Sequence, residues 1–309
     1  MLDEIYSKAK TLARPVTQHR RLFERVKYWR TEMLSAQEGN SLIARSIDRP
    51  GAIGKVGSVE MAALRHHLTR ADSSGFCEFP GWQANNLYRN AGVYPAEDLV
   101  FSRFCTTYTE ALTHLDVLAV WFNRGEHAVK RRFAANAAVT ALRALEPYYH
   151  SQPWSQYLAD KRILVVSPFA DTIQFQYRRR EQVWRLKQEV LPDFQLLTLR
   201  SPLSAFLTAP AYPDWFAALD AMRGQMASIR FDVAIVGAGA WSLPLVAHAK
   251  SLGAFAIHLG GAVQILFGIK GGRWDTHPEI SAFYNEAWTR PSLSETPQGV
   301  RQIEGGCYW

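Results

Sequence analysis

The chain has 309 residues, 48% of them hydrophobic and 20% charged, so it can bury a large core as one extended α/β domain or two smaller ones. A formal net charge of +7 and a pI near 9.4 favour anionic partners, whether nucleotide phosphates, a membrane surface or nucleic acid. The sequence contains no run of roughly 20 uncharged apolar residues and no signal-like apolar segment in Met1–Lys10. Its odd set of Cys77, Cys105 and Cys307 lacks metal-ligand spacing, which implies reduced thiols in a cytoplasmic protein without disulfide or zinc.

Residues 1–45 read as largely helical and basic, with Arg20, Arg21, Arg25, Lys27 and Arg30 interleaved among Leu22, Phe23, Val26, Tyr28 and Trp29. Such a segment can pack on the body of the protein, which is the simpler reading, or lie on an anionic membrane surface or a partner. A first strand is expected over Gly51–Gly57, ending in a Gly57-Ser58 turn. A helix follows over Val59–Leu68, with Ser58 as N-cap and Met61, Leu64 and Leu68 spaced to face a core. Glu60 therefore falls in a first helical turn at the carboxyl end of a strand, the edge where open α/β sheets bind ligands.

Residues 71–90 read as a loop or insertion around Gly75, Pro80-Gly81 and Trp82, and Glu97–Leu112 returns to a helical rhythm. Asp116–Phe122 is a buried strand followed by a basic patch of Arg124, Lys130, Arg131 and Arg132. Pro147–Trp154 breaks the pattern, which places a sub-boundary near 147–160. The strand Arg162–Ser167 runs through the turn Pro168–Thr172 into a helix carrying Arg178, Arg179 and Arg180. Three consecutive arginines cannot share one helix face, so one or two can reach a ligand while the others are solvated. A short strand, Gln195–Leu199, and a helix, Trp215–Ile229, come next.

Phe231–Trp274 is the segment around which the rest is organised. Apolar runs at Asp232–Val236 and Ala254–Leu259 alternate with amphipathic stretches bounded by Gly237, Gly239, Gly260 and Gly261, a βαβα pattern. Glycine turns at two successive strand ends aim backbone N–H groups at one place and favour an anion. Lys270 and Arg273 follow the second pair. The pattern G-x-G-x-x-S, with Ser242 at the third glycine position, departs from the dinucleotide fingerprint. No Asp or Glu occurs between Asp232 and Asp275, where a nicotinamide cofactor would want an acid for its ribose; that place reads His258-Leu259-Gly260.

The runs GKVGSVE, SPFADTIQFQY, FDVAIVGAGAWSLPLVAHAK, HLGGAVQILFGIKGGRW, YNEAW and EGGCYW, spread over roughly residues 50–309, resemble bacterial glycosyltransferases of the GT-D fold type. The resemblance implies a Rossmann-like sheet that binds a nucleotide-sugar donor and builds a cell-surface polysaccharide or glycoprotein glycan. Its founding members carry an Asp-x-Glu motif that helps hold a divalent metal on the donor diphosphate. The matching triplet here is Ser58-Val59-Glu60, with a hydroxyl in place of the first carboxylate.

Glycosyl transfer needs the leaving diphosphate neutralised and, for inversion, a base for the acceptor hydroxyl. Glu60 suits either the base or, as a lone carboxylate, a weak Mn²⁺ or Mg²⁺ site. Gly57, Arg178, Gly237, Gly239, Trp241, His258, Gly260, Gly261, Lys270 and Arg273 are the candidate substrate-binding residues, with Trp241 the best placed of Trp82, Trp121 and Trp241 to stack on a base or sugar. His66, His67 and His258 show no metal-ligand spacing. The terminal Gly305-Gly306-Cys307-Tyr308-Trp309 is too apolar to be left in water and is expected to fold back near the site.

The fold class expected is α/β: a Rossmann-like, mostly parallel sheet with helices on both faces, residues 46–309, plus the basic helical segment 1–45. The partners expected are a nucleotide-sugar donor, a glycan or lipid-linked acceptor and peripheral contact with a membrane, with no nucleic acid. The alternative is a nucleotide-binding module without catalysis in polysaccharide assembly.

Overall fold

The structure, a computed structural model, describes residues 21–28 and 31–309. The expectations placed on residues 1–20 and on Trp29 and Arg30 lie outside the described residues. Eight parallel strands form one sheet in the order β1-β4-β3-β2-β8-β7-β5-β6. They are β1 (Met33–Leu34), β2 (Gly51–Gly54), β3 (Val117–Val120), β4 (Ala138–Ala141), β5 (Arg162–Ser167), β6 (Gln195–Arg200), β7 (Val233–Val236) and β8 (Phe255–His258). All-parallel strands are buried on both sides, which is why they read as continuous apolar runs. Period-two alternation divides them: Leu164, Val166, Ala234 and Val236 enter the core on one face, and Ile163, Val165, Val233 and Ile235 the core on the other.

Residues 21–27 form α1, followed by α2 (Ala36–Ser46), α3 (Ser58–Arg70), α4 (Gly81–Arg89), α5 (Asp98–Leu112), α6 (Glu126–Phe133) and α7 (Ala170–Tyr177). Then come α8 (Arg180–Val183), α9 (Trp215–Ser228), α10 (Ser242–Ser251), α11 (Ala262–Leu266), α12 (Gly272–Asp275) and α13 (Pro278–Ser281). The described part of the basic N-terminal segment is not all helix, because Met33 and Leu34 pair with Val139 and Thr140 and extend the sheet edge. Its α1 sits on the body: Glu24 is buried and accepts from Gly125 N–H at 3.2 Å, and Tyr28 packs edge-on to Phe122 and His127. Residues 71–90, read from sequence as loop, contain α4, whose buried Leu87 joins the core. The stretch 147–160 is tightly packed, with Tyr148 and Trp154 fully buried and Trp154 N–H bonded to Asn40 at 2.9 Å.

The connections set the position of the site. After β2 the chain turns to α3, which packs Met61 and Leu64 on one face; after the neighbouring β8 it turns to α11, which packs Val263 and Ile265 on the other. Adjacent strands whose exits diverge to opposite faces leave a crevice at their carboxyl ends.

Candidate active site

That crevice is a cleft lined at the carboxyl ends of five strands: Lys55 and Gly57–Glu60 beyond β2, Ser167–Phe169 at the end of β5, Ser201–Ser204 beyond β6, Gly237–Gly239 and Trp241 beyond β7, and His258, Gly260, Gly261, Val263 and Gln264 at the end of β8. Of the candidates from sequence, it brings together Gly57, Ser58, Glu60, Gly237, Gly239, Trp241, His258, Gly260, Gly261 and Arg273. It does not include Arg178 or Lys270. Arg178 is exposed at the far end of α7, and Lys270 lies with its ammonium 5.2 Å from the Tyr284 ring centre. The other arginines of that run serve structure: Arg179 bonds the Ala287 carbonyl and Arg180 pairs with Asp193 at 2.9 Å.

The turn after β2 differs in detail from the expectation. Gly57, not Ser58, is the N-cap of α3, and Ser58 is its exposed first residue, with no side-chain cap bond. The reason is Glu60, whose carboxylate curls back over the N-cap; a Cβ on Gly57 would collide with Glu60 Oε2. Burial raises the pKa of Glu60, its own backbone N–H opposes that rise, and Glu304 nearby adds to it while Lys55 offsets it.

Lys55 is the site residue that sequence reasoning passed over. Its ammonium lies 4.8 Å from the Trp121 ring centre and 3.1 Å from where a Cβ on Gly260 would sit. Burial pulls its pKa down to about 8 against the attraction of Glu146 and Glu60. His258, at the end of β8, lies with Nδ1 3.1 Å from the Lys55 carbonyl. A carbonyl only accepts, so Nδ1 carries the proton and Nε2 keeps its lone pair. Burial and then the Lys55 charge push the pKa of His258 down to about 3, so the ring is neutral and Nε2 can only accept.

The two glycine turns hold each other. A Cβ on Gly237 would lie 2.6 Å from the Gly260 carbonyl and 2.7 Å from Val263 Cγ2, so only glycine lets the loops after β7 and β8 approach this closely. Gly260 itself has φ +59°, the left-handed region. Trp241 lines the cleft but is no free stacking platform: it is buried, donates to the Trp215 carbonyl at 3.1 Å and stacks on Trp215 with an interplanar angle of 7°. Trp82 is exposed on α4, outside the cleft. The ring beside the cleft cation is that of Trp121.

The segment Glu304–Trp309 folds back over the cleft, as its apolar character led us to expect. Gly272 N–H donates to the Trp309 carbonyl and Arg273 N–H to that of Cys307, both at 2.9 Å, and Gln264 Nε2 donates to that of Tyr308 at 2.7 Å. Arg273, expected to meet a diphosphate, is instead paired with Glu304, touches Cys307 Sγ at 3.1 Å and lies 4.8 Å over the Tyr308 ring. The N-terminus of α7, another apparent anion site, is filled by Glu295, fully buried, which accepts from Asp171 N–H at 2.7 Å and Thr172 N–H at 3.2 Å.

Among the described residues no three His, Cys, Asp or Glu side chains cluster, and the single carboxylate at the turn, Glu60, has an ammonium for its neighbour. The cleft supplies the half-buried Lys55 ammonium, the Glu60 carboxylate, the Glu304–Arg273 pair and a neutral imidazole acceptor, while the Gly237 and Gly260 amides are given to the Val166 and Val236 carbonyls. No protein-family model and no curated protein matches the chain. Two solved structures align with it, both of the domain of unknown function 1792. One, selenomethionine-substituted, has a TM-score of 0.42 at 13% identity, covering 78% of this chain and 81% of that one. The other, described as having a distinct glycosyltransferase fold, has a TM-score of 0.41 at 14% identity, covering 77% of this chain and 80% of that one.

Proposed function

We propose that this protein is a glycosyltransferase that takes a sugar from a nucleotide-sugar donor held in the cleft and passes it to a hydroxyl of a glycan or lipid-linked acceptor in polysaccharide assembly. One observation carries the reading: the half-buried Lys55 ammonium beside the Gly260 turn after β8, with the Glu60 carboxylate beyond the neighbouring β2. A cation beside the Gly261 amide complements a diphosphate leaving group, and partial shielding from water strengthens it. The lack of an acid between Asp232 and Asp275 speaks against a nicotinamide dinucleotide. Of the runs that resemble GT-D glycosyltransferases, all but YNEAW contribute residues to the cleft lining.

In this reading Lys55 and the Gly261 amide neutralise the diphosphate, the Gly260 N–H being given to the Val236 carbonyl at 3.1 Å, and His258 Nε2 accepts from a hydroxyl. Glu60 takes the proton of the acceptor as its oxygen attacks the anomeric carbon and the bond to the diphosphate breaks. A divalent ion, if used, has Glu60 as its protein carboxylate and the diphosphate for its other oxygens, so Mn²⁺ or Mg²⁺ assists weakly. Exposed Leu22, Phe23 and Val26 beside Arg25 and Lys27 support peripheral membrane contact near a lipid-linked acceptor.

The test is a melting-temperature screen against nucleoside mono- and diphosphates and nucleotide sugars, each with Mn²⁺ and with EDTA, followed by assay of nucleotide release. A ligand at a hundredfold excess over Kd stabilises by about 2.7 kcal/mol. Diphosphates and nucleotide sugars should raise the melting temperature above monophosphates, and a nucleotide sugar should slowly release its nucleotide. Binding without release favours the non-catalytic module, and no stabilisation by any nucleotide refutes both.

A further inference from the structure

A second cavity adjoins the cleft. The two share Lys55, Trp121, Gly261 and Arg273, and the second runs past the ends of β3 and β4, where Val120, Phe122, Ala141 and Leu142 give it an apolar wall. Its charged lining is Arg21, Lys55, Arg273 and the carboxylate of Glu146. Lys55 also faces the donor cleft and Arg273 is paired with Glu304, so the cation that belongs to this cavity alone is Arg21, exposed on α1 at its mouth. An apolar wall with a cation at the mouth suits a head group that carries its negative charge at one end.

Arg21 ties this cavity to a surface. Successive residues of α1 turn by about 100°, which puts Glu24 and the following Tyr28 on one side and Leu22, Phe23 and Val26 on the opposite one. The first side is buried: Glu24 accepts from Gly125 N–H, and Tyr28 packs on Phe122 and His127. The second is bare, with Leu22, Phe23 and Val26 each more than half exposed. Arg21 and Arg25 flank it along one edge and Lys27 along the other, and the only acid of α1, Glu24, is on the buried side. The Arg25 guanidinium lies 5.9 Å from the Phe122 ring centre, and that ring lines the cavity. Three large apolar side chains between cations match the boundary of an anionic bilayer, where the apolar groups enter the acyl layer and the cations stay at the phosphates.

We propose that α1 rests on an anionic bilayer and that the second cavity admits the acceptor from it as the head group of a membrane lipid. Arg21 holds the lipid's phosphate at the mouth, and the hydroxyl to be glycosylated reaches the wall shared with the cleft. The role of that hydroxyl rests on the glycosyltransferase reading, whereas binding of the bilayer and of the phosphate does not. A lipid-linked acceptor is thereby favoured over a free glycan.

Sedimentation of the full chain with phosphatidylcholine vesicles, with and without phosphatidylglycerol, tests the surface. Titration with glucose 1-phosphate, methyl glucoside and inorganic phosphate tests the cavity, and melting shifts with uridine and guanosine diphosphates are read on the same samples. The chain should sediment with the anionic vesicles and not with the neutral ones, less so as salt rises, and ~tenfold more weakly in Phe23→Ser. Glucose 1-phosphate should bind more tightly than the other two probes and lose ~tenfold in Arg21→Gln, with part recovered in Arg21→Lys. Both altered positions are exposed, so the variants should keep the parent's melting temperature. Sedimentation that is absent or ignores lipid charge, or glucose 1-phosphate binding that is absent or indifferent to Arg21, overturns the proposal and leaves the donor reading to its own test. Vesicle and phosphate binding that depend on these residues, in a protein no nucleotide stabilises, uphold the lipid site and sink the donor reading instead.

Discussion

Lys55 carries the charge chemistry of the cleft, and its position makes nucleotide binding dependent on pH. Its pKa, pulled by burial to about 8, lies below that of an ordinary lysine, so the free protein loses the ammonium as pH rises through 8. If the diphosphate needs that charge, Kd should be flat below pH 7 and rise by up to ~tenfold per pH unit above 8, with proton uptake on binding. The stability linkage has the opposite sense: between the folded pKa and the higher unfolded one the unfolded chain binds more protons, so this group's contribution to stability rises with pH there. Titrating nucleoside diphosphate into parent and Lys55→Met from pH 6.5 to 9.5 is decisive, because the variant should bind at least ~tenfold more weakly at pH 7 and lose the pH slope. A parallel slope in both proteins would assign it elsewhere. Glu60 makes a separate prediction. As a base it acts mainly in the transition state, so Glu60→Gln should cut the single-turnover rate ~100-fold or more with donor Kd nearly unchanged. As a metal ligand it should weaken donor binding in Mn²⁺, and EDTA should reproduce that loss in the parent. Of the two residues only Glu60 was legible in the sequence. A carboxylate three residues past the glycine that opens the helix after β2 declares its place, whereas the weight of Lys55 comes from its setting among Trp121, Glu146 and Gly260, contacts brought by strands far apart in the chain.

The glycine turns after β7 and β8 are a single packed unit. Gly237→Ala would drive a methyl into the Gly260 carbonyl on the neighbouring loop and into Val263 in α11, which must move away by a few tenths of an ångström or more. Overpacking of this kind costs about 1–3 kcal/mol, and it displaces the amide proposed to hold the diphosphate. The variant should therefore melt lower and bind nucleotide more weakly; unchanged values of both would show that the loops yield freely. These elements were legible because each strand is an apolar run bounded by glycine: Asp232–Val236 and Ala254–Leu259 were expected, and Val233–Val236 and Phe255–His258 are found. The elements missed had weak local signals. β1 is two residues long and β4, Ala138–Ala141, contains only small or β-branched residues, so both depend on their neighbours for stability. α4 opens on Pro80-Gly81, which read as a turn and instead starts a helix, with Pro80 as its N-cap. The burial of Trp241 was not legible for a similar reason: its place after a glycine turn was visible, but the Trp215 ring that stacks on it comes from α9.

At the scale of the whole molecule, one sheet draws on both halves of the sequence, since β2 pairs with β8 through Gly51–Phe255, Ala52–Ala256 and Ile53–Ile257. The site sits on that seam, and the last residues of the chain close over it. Glu295 links the two functions of this closure: its carboxylate caps α7 while its carbonyl accepts from Trp309 Nε1 at 2.8 Å. Removing residues 305–309 would strip partners from Gly272 N–H, Arg273 N–H and Gln264 Nε2 and expose the apolar surface under Tyr308 and Trp309. Net losses of about 0.5–1.5 kcal/mol per hydrogen bond, with the lost burial, sum to roughly 3–5 kcal/mol, a melting temperature lower by roughly 5–10 °C for a domain of this size. Glu304 stays in the truncated chain, and Glu304→Gln in the full chain removes its charge while leaving the backbone hydrogen bonds of residues 307–309 in place. The truncation should therefore lower stability and nucleotide affinity together, because Gly261 and Arg273 lose their support. Glu304→Gln should leave the melting temperature nearly unchanged and tighten diphosphate binding by freeing Arg273. Truncated protein with the parent's melting temperature and nucleotide affinity would show that the closing segment neither braces the fold nor shapes the site.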